Sequence, residues 1–494
     1  MTAIRSTAQL ALFALLALVV FSSSAAFRHT RILFLIPLVP LVLVFILAPA
    51  AKTAYREWVS LRKSFIWWQG LWLLLFLSGL VFRMRAAQDI DQSPLDIWAV
   101  YRIGLVTIVG LVLCFRLFFE RTRWFGALFS GTLGILAVYA LLSLVSAAWS
   151  VRPAWTIYKS IEYLVDLATI SAVVVSVESL REYRKFANWT WTLLGLLAAS
   201  AWIGAIVDPS DGLMAGQIVG PLTVRLEGVV PSVDANTIGE ICAILALVAL
   251  NRMLNDPEAK RDRPWYGALL MASLTTLVFS QTRADMAAFV IGLVLLLLVS
   301  HRYRLAVALG WLSAVAAVIV FTFTNFGRSL TDFVLRGQSS QSVQGLSGRM
   351  EVWQASFDAF LRQPWIGYGG FAGSRFVVLP GIPSQGMAST ALSTYIDSLL
   401  DLGFWGPLLI LIVLAGAAWF LLRSTRGYHV AFSDRPLALE MFVILSVIIV
   451  RSFVTSNIVG HPALGFLTVV GFIEVARRQE KAKASQMQMP GPAA

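Results

Sequence analysis

Long apolar runs broken by short polar clusters carry the chain from near its first residues to about residue 476. Within stretches such as Ile32–Ala51, Phe65–Phe82 and Phe404–Leu422 the apolar positions are continuous, not alternating. A bilayer core of about 30 Å takes about 20 such residues as a helix. Lipid leaves no water to satisfy an unpaired backbone, so spanning segments are helices or closed barrels. Barrel strands alternate apolar and polar positions, which these runs do not. The pattern therefore predicts an all-α polytopic membrane protein with about fourteen transmembrane helices. They fall near residues 8–27, 32–51, 65–82, 97–119, 125–149, 158–178, 189–207, 234–251, 265–280, 284–300, 304–324, 403–423, 436–453 and 461–476.

The polar clusters orient these helices. Arg56–Lys63, Arg121–Arg123, Arg181–Lys185, Arg252–Arg263, His301–Arg304, Arg423–Arg426 and Arg477–Lys483 all share one side when the C-terminus is cytoplasmic, as the positive-inside rule requires. Arg28 with Arg31, and Arg83 with Arg85, fall outside. This gives N-terminal transmembrane helices over 1–324, a long external loop over 325–402, C-terminal transmembrane helices over 403–480 and a cytoplasmic tail over 481–494. Residues 1–27 carry Arg5, the apolar stretch Leu10–Val20 and the small residues Ser22–Ala26. They read as a first transmembrane helix, and a cleaved signal peptide is the other reading. In the long loop, Met350, Trp353, Phe357, Phe360 and Leu361 recur at helical spacing and predict an amphipathic helix at the membrane surface.

Composition agrees: 58% hydrophobic and 13% charged residues, against about 45–50% and about 25% in soluble domains. The net charge of +12 is scattered between apolar runs, as topology signals are, so a nucleic-acid partner is excluded. Cys114 and Cys242 sit in different apolar runs, without metal-ligand spacing, and read as small core residues. Asp89-Ile-Asp91 is a weak metal motif in an external segment, and neither a metal nor a cofactor is expected.

Chemistry-bearing residues gather on the external side. Arg225, Arg283 and Arg349 lie there beside apolar spans. Each alone reads equally as a head-group contact. Together they suit an anion, because a guanidinium fork matches phosphate oxygens. Arg102, Arg116, Asp166, Glu240 and Asp285 lie within spans, where ionisable groups mark function or pair across helices.

Five segments carry a family resemblance: Trp149-Ser-Val-Arg-Pro153; Arg225-Leu-Glu-Gly228 followed by Asp234-Ala-Asn-Thr-Ile-Gly239; Ser280-Gln-Thr-Arg283; Ser347-Gly-Arg-Met-Glu-Val-Trp353 followed by Pro364-Trp-Ile-Gly-Tyr-Gly369; and Gly403-Phe-Trp-Gly406. In order and type they resemble the bacterial O-antigen ligase and polymerase family over about residues 130–425. The resemblance implies an inner-membrane glycosyltransferase that takes a sugar chain from undecaprenyl diphosphate to an acceptor hydroxyl. Its partners would be the undecaprenyl-diphosphate-linked oligosaccharide, a glycan acceptor, membrane lipids and other polysaccharide export proteins. By resemblance, Arg283 and Arg349 hold the diphosphate, and Arg225, Asn236, Glu351, Trp353 and Tyr395 bind substrate. The ligases place a His where this chain has Leu392. Leucine cannot accept a proton, so Asp397 is the expected base and a polymerase the expected activity. A ligase, a lipid-linked glycan transporter and an inactive relative are the alternatives.

Overall fold

The computed structural model describes residues 67–82, 95–119, 124–215, 224–311 apart from 306 and 309, 349–382, and 390–487. The expected spans 8–27 and 32–51, most of 304–324, Asp89 and Asp91 lie outside them. The described chain is mostly helical: α1 (Trp67–Ser78), α2 (Ile97–Phe119), α3 (Gly131–Val145), α4 (Pro153–Ser176), α5 (Leu180–Val207), α6 (Ala235–Asn255), α7 (Arg263–Ser280), α8 (Arg283–Val299), α9 (Arg349–Arg362), α10 (Thr394–Leu402), α11 (Trp405–Thr425), α12 (Arg435–Ser452) and α13 (Leu464–Met487). Among the described residues, five helices are long and apolar enough to cross a membrane: α2, α3 with its extension to Ala148, α5, α6 and α11. Other expected spans are shorter, like α1 and α8, or carry several charges, like α12 with Arg435, Glu440 and Arg451.

Local chemistry sets the helix ends. Ser179 caps α5 by accepting from the Glu182 amide at 3.2 Å, and Asp234 caps α6 by accepting from the Thr237 amide at 2.8 Å. Pro153 opens α4 at a position where no amide bond is lost. α6 is apolar on nearly every face and packs against α5, α7, α8 and α12, as a helix in a bundle centre must. α2 is its opposite: Ile97, Val100, Ile108, Leu111, Phe115 and Phe118 are exposed. Cys114 is exposed on that helix too, which corrects its expected core position, whereas Cys242 is buried in α6.

A buried pair closes one end of the bundle. Arg252 binds Glu440 with two 2.8 Å hydrogen bonds, and the Trp191 indole donates to the same carboxylate at 2.9 Å. Arg184 with Asp256 and Arg302 with Asn255 lie at this end, drawn from basic clusters that share one side in the sequence.

At the other end the all-helical expectation needs one correction. Strand β1 (Leu213–Ala215) pairs antiparallel with β2 (Val224–Leu226), with Met214 opposite Arg225. A short ladder satisfies backbone amides that a bare loop packed on helix ends would leave unpaired. The segment around α9 and α10 forms its own small core, with Val352, Ala359, Tyr368, Val378, Leu379, Ile382, Ala391 and Leu400 buried together. The predicted amphipathic helix is present as α9, but its apolar positions divide. Trp353 packs on this core, while Met350, Phe357 and Leu361 are exposed. Finally, α13 continues to Met487, so residues 481–487 of the expected tail are helical.

Candidate active site

Arg283 opens α8 directly after a tight turn. Gln281 ends α7 in the left-handed region (φ 53°). Its side-chain amide donates to the Val224 carbonyl at 2.8 Å, and Ser280 and Thr282 hydroxyls bond at 2.9 Å. Arg225 comes to the same turn from β2, donating from Nε to the Ser280 carbonyl at 3.4 Å and pairing with Glu227 at 3.5 Å. Gly239 on α6 faces this turn: a Cβ there would collide with Thr282 and the Asp285 carboxylate. That close approach is the physical reason for glycine in the Asn236–Gly239 segment.

A further arginine joins this group, and no sequence motif marks it. Arg451, near the end of α12, is fully buried. Its Nε lies 2.7 Å from Asp285 Oδ1 and 3.4 Å from Glu240 Oε2, and its Nη2 donates to the Asn236 carbonyl at 3.4 Å. Asn236 thus enters through its backbone. The usable signal was an arginine within an apolar run. Arg349, the first residue of α9, lies within the fields of Arg451 and Arg283. Burial first, then those two like charges, push its pKa below the ordinary arginine value, and Asp285 partly offsets them. Arg283, Arg349 and Arg451 therefore share one electrostatic neighbourhood with Asp285 and Glu240. Among the described residues Arg451 Nη1 has no hydrogen-bond partner. A buried donor so placed costs about 1–3 kcal/mol.

The remaining motif residues hold this arrangement together. The Trp353 indole, one turn beyond Arg349, donates to the Ala391 carbonyl at 3.0 Å. It ties α9 to the strap that leads into α10. The strap is also held by Asp397, which accepts from the Ala391 amide at 2.8 Å. Between these anchors Leu392 takes a left-handed backbone (φ 57°), a conformation that costs a bulky residue about 1–3 kcal/mol. The Pro364–Gly369 turn is stitched on both sides. Tyr368 and Gly369 amides donate to Leu400 and Asp401 carbonyls at 2.8 and 3.1 Å, and the Val151 amide donates to the Tyr368 carbonyl at 3.1 Å. The Trp149 indole donates to the Ile366 carbonyl at 3.1 Å. Gly369, at φ 101°, packs against Ser150 where no side chain fits.

Asp397 is placed differently from the arginines. It is buried and accepts from the Ser374 and Ser456 hydroxyls as well as Ala391. Burial raises its pKa above the ordinary carboxylate value, and these hydrogen bonds partly oppose the rise. Asp401, one turn on, is raised further, by burial and then by the charge of Asp397. A polar chain leads back to the arginines. Thr394 Oγ1 donates to Asn457 Oδ1 at 3.4 Å, and Asn457 Nδ2 donates to Glu240 at 3.5 Å. Tyr395 is half-buried with its ring 4.9 Å from Phe453, and Glu351 is exposed in the first turn of α9. The other charges within spans pair across helices: Arg102 with Glu162 at 2.6 Å and Asp166 with His461 at 3.2 Å. Arg116 lies 3.7 Å over the Trp67 ring. Among the described residues no group of three or more His, Cys, Asp or Glu side chains could hold a metal ion.

Residues 268–411 match the family model described as O-antigen ligase. The match contains Arg283, Arg349, Leu392 and Asp397, and leaves Arg225, Asn236 and Arg451 outside it. It supports a multi-pass membrane protein of the O-antigen ligase and polymerase family and indicates activity of that type. No curated protein matches the chain.

Proposed function

We propose that the protein is an inner-membrane glycosyltransferase that polymerises undecaprenyl-diphosphate-linked oligosaccharide units into a surface polysaccharide. The observation that carries this reading is the meeting of Arg283, Arg349 and Arg451 beside Asp285 and Glu240. In this reading the arginines face the periplasm and the C-terminus is cytoplasmic. The acceptor hydroxyl forms a bond to the anomeric carbon as the bond from that carbon to the diphosphate oxygen breaks. Negative charge gathers on the departing diphosphate, where fixed guanidinium groups lower the barrier most. The acceptor's proton goes to Asp397, whose raised pKa makes it a better base than an exposed carboxylate.

The ligase is the second reading, because the matching family model carries that description. Leu392 favours the polymerase, because by resemblance the ligases place a His at that position. The test uses purified protein in detergent with a synthetic undecaprenyl-diphosphate oligosaccharide and no added acceptor. A ladder of lengthened lipid-linked products, lost in Arg283→Ala, is the expected result. Donor binding without a ladder would overturn the polymerase reading in favour of the ligase. Absence of both would remove the glycosyltransferase reading.

A further inference from the structure

α9 has three faces. At about 100° per residue, Val352, Ser356 and Ala359 share one side, where all three are buried. Glu351, Asp358 and Arg362 share a second side and are exposed. A third side, about 100° round from the polar one, carries Met350, Phe357 and Leu361, and these are exposed as well. In water an apolar stripe beside a polar one gains nothing. A helix lying in a bilayer interface needs both, one for the acyl boundary and one for the aqueous side.

The apolar stripe runs into a second exposed group just past the end of α9. Trp365 and Ile366 are exposed there. The Trp365 ring lies 6.5 Å from the Phe404 ring, which lies 5.8 Å from Trp405. The Phe404 amide donates to the Pro364 carbonyl at 2.8 Å, so backbone fixes this meeting. On the other side the exposed Trp149 indole donates to the Ile366 carbonyl at 3.1 Å.

This turn stands where two apolar helices end. Trp405 is the first residue of α11, and Trp149 follows the extension of α3 to Ala148; both helices are long and apolar enough to cross a membrane. The 21 residues of α11 measure about 30 Å at about 1.5 Å per residue, the thickness of a bilayer core. Aromatic rings gather at both surfaces of a bilayer, and α11 carries them at both ends. Opposite Trp405, Arg423 lies 5.0 Å over the exposed Trp419 ring and 5.6 Å over the exposed Tyr428 ring.

We propose that α9 and the turn after it rest on the lipid bilayer, with Phe357, Leu361, Trp365 and Ile366 sunk to the acyl boundary and Glu351, Asp358 and Arg362 in water. The exposed stripe is then a lipid contact, continuous with the ends of α3 and α11. It begins beside Arg349, which opens α9, so the contact holds that guanidinium at head-group depth. That a lipid-linked diphosphate meets Arg349 there rests on the glycosyltransferase reading; the lipid contact does not.

The test places a nitroxide on single cysteines made by Phe357→Cys, Leu361→Cys, Ile366→Cys and Asp358→Cys. The full-length protein also carries Cys114→Ser, because Cys114 is exposed and Cys242 buried. It is held in nanodiscs of phosphatidylethanolamine and phosphatidylglycerol, with no glycan donor. Collision rates of each nitroxide are read by spin resonance with oxygen, which concentrates in lipid, and with a nickel chelate, which stays in water. Oxygen should dominate at positions 357, 361 and 366, and the chelate at position 358. Chelate collisions dominating at any of the first three overturn the proposal, by placing the stripe in water. Low rates with both reagents there also overturn it, by placing protein, such as a second copy of the chain, over the face. Oxygen dominating at position 358 as well overturns it, because the helix would then lie wholly within lipid. No glycan enters the measurement, so its outcome stands apart from that of the polymerase assay.

Discussion

Arg451 Nε stands 2.7 Å from Asp285 Oδ1, joining the end of α12 to the first turn of α8 in the bundle interior. Both side chains are fully buried. A buried pair is costly to form and costlier to break, because removing one partner strands the other charge. The pair therefore fixes α8, which opens at Arg283, against α12.

Arg451→Gln is expected to destabilise the protein by about 3–5 kcal/mol, the scale for stranding one member of a buried pair. The double variant Arg451→Gln with Asp285→Asn should recover much of that stability and none of the activity. Thermal unfolding in detergent reads the first quantity and polymer yield the second. A single variant as stable as wild type would show that the pair does not hold the helices.

Arg349→Ala should lower polymer yield by about 10²–10³-fold, the usual loss for a group that stabilises transition-state charge. The protein should stay in the membrane fraction, since Arg349 lies at the start of α9 rather than in the bundle core. Wild-type yield from this variant would sink the diphosphate-site reading.

Asp397→Asn should reduce turnover more than donor binding, by about 10²–10⁴-fold for loss of a general base. Its pKa is raised, so the carboxyl is protonated and idle at low pH and takes up its role only as pH rises past that raised value. Turnover should climb with pH along a limb lying above the ordinary carboxylate value of about 3.9. The asparagine variant should lack that limb. A pH profile unchanged by the substitution would remove Asp397 as the base.

Trp353→Phe removes one hydrogen bond, from the indole to the Ala391 carbonyl, and keeps the aromatic packing. A loss of about 1 kcal/mol is expected. Limited proteolysis should cut faster in the strap before α10, and turnover should fall while donor affinity holds. A strap as resistant as in wild type would mean that Trp353 does not anchor it.

The motifs were legible in sequence, but their work was not. Trp149, Trp353, Gly369 and Gly239 read as family text, and the structure shows three of them stitching backbone and the fourth allowing two helices to touch. Arg283 and Arg349 were legible because they flank apolar runs on the side that the basic clusters leave as external. Arg451 is equally charged yet hid inside a run read only as a span.

The sequence by itself determined that this is a helical membrane protein, and it set as expectations a shared side for the basic clusters and an anion site among the external arginines. Those properties follow from hydrophobic run length and local charge, and need no knowledge of neighbours. Only the tertiary structure decided that Arg451 joins the arginine group and that Asp397 is held by two serines and the Ala391 amide. Each of these depends on side chains far apart in the chain meeting in a low-dielectric interior, and run length and local charge carry no record of which helices will pack together.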